Sequence, residues 1–347
     1  MTKPTPSTAR LRTALSVFLL MSCVSILAAG CAGRTGDASR VRLAIGGQNQ
    51  MVYLPTTLAR ELGFYKENGL DVELQDFQGG AKALQALVGG SADVVSGFYD
   101  HTIQMAAEGR ELVAFVTMLR FPGLVLATSP QAAASIQRVQ DLKGKIAGVT
   151  SAGSSSQMFL TFLLTRHGVP ADSVSVTAIG SAATAIAAIE HGKIDAGWMA
   201  DPSFTLVKRR NPGIRVLADL RDEAGVKEAF GTTTYPGAVL YAPGEWIRAN
   251  RDTATRLARA IGQTLTWMHT HSAEEISART PQSLRGEDDA LYVEALKNSM
   301  PMFSVDGQMT AEGAGAVRTL LNESMPKVRE ATIDVSKTYT NELVNGR

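Results

Sequence analysis

Cysteine is almost missing from this chain of 347 residues, which holds only Cys23 and Cys31. Cys23 lies inside an N-terminal stretch that reads as a cleavable leader, so the exported chain keeps Cys31 alone. An internal disulfide, a cysteine-based zinc site and a cysteine nucleophile are thereby excluded. Histidine is scarce as well. Of His101, His167, His191, His269 and His271, no two stand at the i, i+4 spacing of a helical metal pair. His269 and His271, two apart, would point to different faces of a helix. No G-x-S-x-G nucleophile elbow occurs, because AGSSSQ lacks the closing glycine. No metal or cofactor is expected. Neither sign of charge dominates: residues 1–30 carry three of the 34 Lys+Arg and none of the 33 Asp+Glu, leaving a formal charge of −2 beyond them. A mixed surface of that kind lacks the basic face that nucleic acid requires. The apolar run over residues 14–29 is also shorter than the roughly 20 residues of a membrane span.

What the N-terminus does hold is ordered by chemistry. Lys3, Arg10 and Arg12 precede the apolar run, which exits through Leu27-Ala28-Ala29-Gly30-Cys31. Charge, apolar core and small-residue exit make a secretory signal over residues 1–30. The small residues before the cysteine resemble the lipobox of bacterial lipoproteins, with Ala28 where leucine is usual. That resemblance implies acylation of Cys31, a flexible tether over residues 31–40, and a chain anchored by lipid in the periplasm or at the cell surface.

From Val41 short alternating runs trade places with helical patterns. VRLAIGG reads as a strand, LPTTLARELGFYKENGL as helix, DVELQDF as strand, ALQALVGGS as helix and DVVSGF as strand. The order recurs from Lys145: KIAGVT, SSSQMFLTFLLTRHG, VSVTAIG, AIAAIEHG and DAGWM. The match is closest where ALQALVGGSAD (residues 83–93) meets AIAAIEHGKID (residues 185–195), which repeat Ala, Ala, Gly and Asp at one spacing. Two β-α-β-α-β halves predict an α/β protein of two lobes, each a mainly parallel sheet flanked by helices. A second echo pairs Phe121-Pro122-Gly123 with Tyr235-Pro236-Gly237, each leading into an apolar strand. The chain is expected to cross between lobes at residues 120–124 and 235–242. Lobe 1 is then 41–123 with 244–347, and lobe 2 is 124–243. After Trp246 the pattern turns helical, a tail expected to wrap back onto the first lobe.

The run YLPTTLARELGFYKENGLDVELQDFQGGAKALQALVGGSADVVSG resembles the substrate-binding proteins of nitrate, sulfonate and taurine ABC importers, which share a superfamily with thiamine-pyrimidine-precursor binders. RVQDLKGKIAGVTSAGSSSQMFLTFLL resembles the start of their second lobe, and FSVDGQMTAEGAGAVRTLL their C-terminal region. The resemblance implies a type II periplasmic-binding-protein-like fold with two crossovers. It further implies a monomer that captures a small solute in the cleft and passes it to an ABC permease in the inner membrane, without catalysis. A binder of a pyrimidine or other aromatic vitamin precursor is the alternative. An enzyme of the thiamine-pyrimidine synthase type is a further one, although those relatives depend on a Cys- and His-rich motif that this chain lacks.

In an open sheet the C-terminal strand ends and the helix N-termini that follow converge on a ligand crevice, and unsatisfied N–H groups there suit anions. Gly79 and Gly80 precede one such helix; Ser151, Ser154, Ser155 and Ser156 open another. Together they are expected to hold an oxyanion such as a sulfonate, nitrate or carboxylate. Gln48, Asn49 and Tyr53 follow the first strand, Tyr99, Asp100 and His101 follow DVVSGF, and Trp198 and Asp201 follow DAGWM. Tyr99 and Trp198 occupy comparable places in the two repeats and are expected to face each other across the ligand. Each aspartate could meet an amine or hydroxyl, or merely cap a helix. The repeated Asp93 and Asp195 stand at strand starts and read as structural.

Overall fold

The computed structural model describes residues 39–345. The expected leader, Cys31 and residues 32–38 of the tether lie outside the described residues. Ten strands follow in chain order: β1 (Ser39–Ile45), β2 (Leu70–Asp76), β3 (Val94–Phe98), β4 (Leu112–Thr117), β5 (Leu124–Thr128), β6 (Ile146–Val149), β7 (Ser175–Ala178), β8 (Ala196–Ala200), β9 (Val216–Asp219) and β10 (Ala238–Pro243). The first strand thus starts at Ser39, two residues inside the expected tether. Ser39 N–H donates to the Gly69 carbonyl, and Arg40 pairs with Glu73 of the adjacent strand.

The strands form two mixed sheets of five, ordered β2-β1-β3-β10-β4 and β7-β6-β8-β5-β9. In each, four strands run one way and the fourth in spatial order is reversed: β10 is antiparallel to β3 and β4, and β5 to β8 and β9. Both reversed strands follow an aromatic-Pro-Gly turn. The two crossings between sheets lie side by side, with Gly123 N–H donating to the Leu220 carbonyl and Gly237 N–H to that of Leu119. Gly123 needs to be glycine, with φ of +71° and Val52 Cγ1 2.9 Å from where a Cβ would stand. One boundary is corrected. The sequence reading assigned residues 238–243 to the second lobe, yet β10 completes the first sheet, where Val239 lies between Gly97 and Thr117.

The repeated aspartates do the same work in both halves. Asp93 Oδ2 accepts the Arg42 N–H at 2.8 Å and Asp195 Oδ2 accepts the Ile146 N–H at 2.7 Å, so each ties the loop before one strand to the strand beside it. The helices of the repeated segments 83–93 and 185–195 are Gly80–Val88 and Ala183–Glu190.

Side chains alternate across the second sheet as strand geometry requires. Leu124 and Leu126 of β5, with Ala196, Trp198 and Ala200 of β8, join the large core that continues into the first lobe. Val125, Ala127 and Met199 face the other way, onto Phe204, Val207 and Ile189. The tail returns to the first lobe, where helix Arg251–Thr270 packs on helix Leu54–Glu61 and Ala114 N–H donates to the Thr338 carbonyl. It covers the second lobe as well, since helix Ala311–Ser324 lies on helix Ser155–Arg166 and Arg209 pairs with Asp288 and Glu294. Among the described residues, no helix is long and apolar enough to cross a membrane.

Candidate functional site

The lobes meet where the C-terminal ends of their parallel strands converge. Met51 N–H donates to the Asp201 carbonyl at 2.8 Å, Ser181 Oγ to Asn49 Oδ1 at 3.3 Å and Ser155 Oγ to Asp100 Oδ1 at 2.9 Å, each bond joining one lobe to the other. The glycine loop expected in the first lobe comes against the second at Gly79, while Gly80 meets the first lobe's own His101. A Cβ on Gly79 would stand 3.0 Å from Ser151 Oγ, and one on Gly80 3.1 Å from His101 Cε1. At Gly46 the space is tighter still, with Tyr53 OH at 2.8 Å and Gly80 Cα at 2.9 Å.

At this junction lie five buried side-chain atoms with no hydrogen-bond partner: Asp100 Oδ2, His101 Nε2, Ser151 Oγ, Trp198 Nε1 and Tyr235 OH. Buried polar groups in folded proteins are nearly always paired, and each orphan costs about 1–3 kcal/mol. Contacts link them in two groups. Ser155 joins Asp100 to the loop of Ser151, while Phe159 lies 5.3 Å from the Tyr235 ring and 6.0 Å from Trp198, edge-on to both. Asp100 and His101 begin the helix Asp100–Ala107 directly after β3, Ser151 follows β6, Trp198 sits within β8 and Tyr235 lies on the returning crossover. Both lobes and the returning crossover therefore contribute unpaired polar atoms.

Burial sets the charge state there. Asp100 is fully buried, which pushes its carboxyl up to about 7 against the lowering effect of the Ser155 hydroxyl and the His101 backbone N–H. Burial lowers His101 to about 4, so its imidazole is neutral in neutral water. Its Nδ1 is 3.3 Å from Tyr241 OH. Tyr53 and Tyr235 are raised, first by burial and then by the nearby Asp100 charge, and Tyr241 is raised by burial, then by Tyr53 and Asp100. Among the described residues, no lysine or arginine forms an ion pair with Asp100, and no group of three or more His, Cys, Asp or Glu is placed to hold a metal.

Several expected site residues take other roles. Tyr99 does not face Trp198; its hydroxyl is 2.6 Å from Thr338 Oγ1 and its ring meets Tyr339, because this side chain turns into the packing of the C-terminal tail. Asp201 is held at Oδ1 by Thr205 and at Oδ2 by Arg221 and Ser299, which makes it a helix cap and an ion-pair member. Ser154 and Ser156 hydroxyls are 2.8 Å apart, Thr150 N–H donates to Ser156, and Ser155 is committed to Asp100. Of the four serines expected to receive an oxyanion, only Ser151 has an unpaired hydroxyl. Gln48 is anchored by Asp76 and Thr57 at the edge of the junction. Tyr235 stands among the unpaired groups although its sequence position suggests only a turn, marked by the aromatic-Pro-Gly echo. Phe159 and Tyr241 carried no signal beyond apolar patterning.

A family model described as NMT1/THI5 like matches residues 50–275. A solved structure from Bordetella bronchiseptica RB50 is 36% identical to this chain, with a TM-score of 0.85, and covers 89% of this chain and 97% of that one. The alkanesulfonate-binding protein SsuA from Xanthomonas axonopodis pv. citri, solved with MOPS bound, is 18% identical at a TM-score of 0.69, over 88% of this chain and 100% of that one. The periplasmic nitrate-binding protein NrtA from Synechocystis PCC 6803 is 14% identical at 0.70, over 89% and 88%. At such identities the last two share a fold with this chain.

Proposed function

The chain belongs to the NMT1/THI5-like family and has the fold of periplasmic binding proteins; from that premise we propose that it is the solute-binding component of an ABC importer. It captures a small organic solute between its lobes and presents the closed form to a permease in the inner membrane. The leader and Cys31 make it an extracytoplasmic lipoprotein in this reading, working as a monomer held to the membrane by lipid alone.

The observation that carries the reading is the set of five unpaired buried polar atoms drawn from both lobes and the crossover. A solute that satisfies all of them gains contacts only when the lobes are together. Such differential contact is what shifts an open and closed equilibrium. Aromatic walls with a few polar atoms are also the usual lining of a small-molecule pocket.

A thermal-shift screen over sulfonates, nitrate, carboxylates, pyrimidines and amines tests the proposal. A ligand at about 100 times its dissociation constant adds about 2.7 kcal/mol to stability. Small-angle scattering should then show the same ligand compacting the protein. A protein that unfolds cooperatively but responds to no member of the panel would count against solute binding.

A further inference from the structure

Asp201 of the junction is already paired with Arg221, so among the unpaired groups there Asp100 is the one that can carry a charge near neutral pH, and it is an acid. Asp100 faces Ser155 from the second lobe, His101 on its own helix, Tyr53 from the segment after β1, Tyr241 from β10 and Tyr235 from the crossover. None of these is cationic in neutral water. The carboxylate also occupies the place that an anionic ligand was expected to fill. Helix N-termini attract anions, and at the start of helix Ser155–Arg166 the anion is the protein's own Asp100, held through Ser155 Oγ. A second anion would meet that carboxylate at close range with the Ser154, Ser155 and Ser156 hydroxyls already spent and only that of Ser151 left to donate.

The remaining atoms narrow the chemistry further. Asp100 Oδ2, when ionised, can only accept a hydrogen bond, whereas Trp198 Nε1–H can only donate one. Ser151 and Tyr235 can do either. A solute that satisfies this set must bring an N–H or O–H for the acid and an acceptor for the indole. We propose that the ligand is a small neutral or cationic nitrogen compound, not an anion: it gives an N–H to Asp100 Oδ2 and takes a hydrogen bond from Trp198 Nε1. This rests on the solute-binding reading above and replaces the oxyanion expected from the loops alone.

Benzamidinium, benzamide and benzoate are planar probes of nearly one shape that carry positive, zero and negative charge. Guanidinium, urea and nitrate repeat the series at smaller size. Calorimetry at pH 8, where a carboxyl titrating at about 7 is ionised, should show the cationic or neutral member of at least one series binding and the anionic member weakest. Asp100→Asn should weaken the cation by about tenfold or more, the usual worth of a charged hydrogen bond. Lowering the pH from 8 to 6 should weaken cation binding to the natural protein and leave the Asn variant nearly unchanged. Trp198→Phe, which keeps an aromatic wall, should weaken benzamide more than benzamidinium, because only benzamide offers an acceptor. Benzoate, nitrate or a sulfonate binding more tightly than every cation and neutral probe would overturn the ligand class while leaving solute binding intact. Binding of no probe of any charge, by a protein that still unfolds cooperatively, would overturn both.

Discussion

Replacing Asp100 by Asn should expose a pH dependence that the natural protein conceals. Unfolded, an aspartate and a histidine titrate near 3.9 and 6.5. Folded, burial moves Asp100 up to about 7 and His101 down to about 4. Between about pH 4 and 6.5 the folded state therefore holds a proton on Asp100 and the unfolded state holds one on His101. The counts are equal, so this pair contributes no slope to stability across the window. In Asp100→Asn only the unfolded state takes up a proton, and stability should rise with pH by about 1.4 kcal/mol per unit. From pH 4.5 to 6.5 that amounts to about 2 kcal/mol, because the slope falls off as the unfolded histidine titrates near 6.5. His101→Gln should give the opposite sign. A carboxyl raised on folding contributes stability that is complete below its unfolded value near pH 4 and is lost as pH climbs through about 7. Urea unfolding of both variants at pH 4.5, 5.5 and 6.5, each read as a difference from the natural protein, isolates the pair from other titrating groups. Variant profiles that run parallel to the natural one would refute the argument.

Three further outcomes are expected. Arg221→Leu should cost about 3–5 kcal/mol in urea unfolding, because it strands the carboxylate of Asp201, which is 1% exposed. Gly46→Ala should weaken solute binding and leave the protein more extended in scattering, since its Cβ would lie 2.9 Å from Gly80 Cα with backbone on the other side of the contact. Cys31→Ala should move the protein from the membrane to the soluble fraction; an unchanged membrane fraction would point to an uncleaved leader.

The repeat was legible because its residues are bound by backbone geometry. Asp93 and Asp195 serve the same neighbouring strand in each half, and that duty fixes residue type and spacing together. The aromatic-Pro-Gly turns were readable for the same reason, each one leading the chain into a reversed strand. Which sheet β10 joins was not, because an apolar strand such as Ala238–Pro243 fits either one. Side-chain direction at the site was also hidden. Tyr99 and Asp100 are adjacent at a helix start, yet one turns to Thr338 and the other to Ser155. Position at a strand end says that a residue is near the crevice and nothing about which way it points. The commitment of Ser155 depends on a partner 55 residues away in sequence, beyond any local pattern.

The reversed strands set an order of assembly. The second sheet draws all its strands from residues 124–219 and can close as soon as that segment is available. The first sheet cannot. Its strand β10 sits between β3 and β4, so the half of the molecule that is made first lacks an inner strand until residue 243 has been delivered. Met118 and Leu119 must wait as well, because both give their N–H groups to the Ala238 carbonyl. Non-local pairing of this kind is slow. The sheet encoded second is thus the one able to close first, and the N-terminal sheet lacks its inner strand until the chain has gone across and come back.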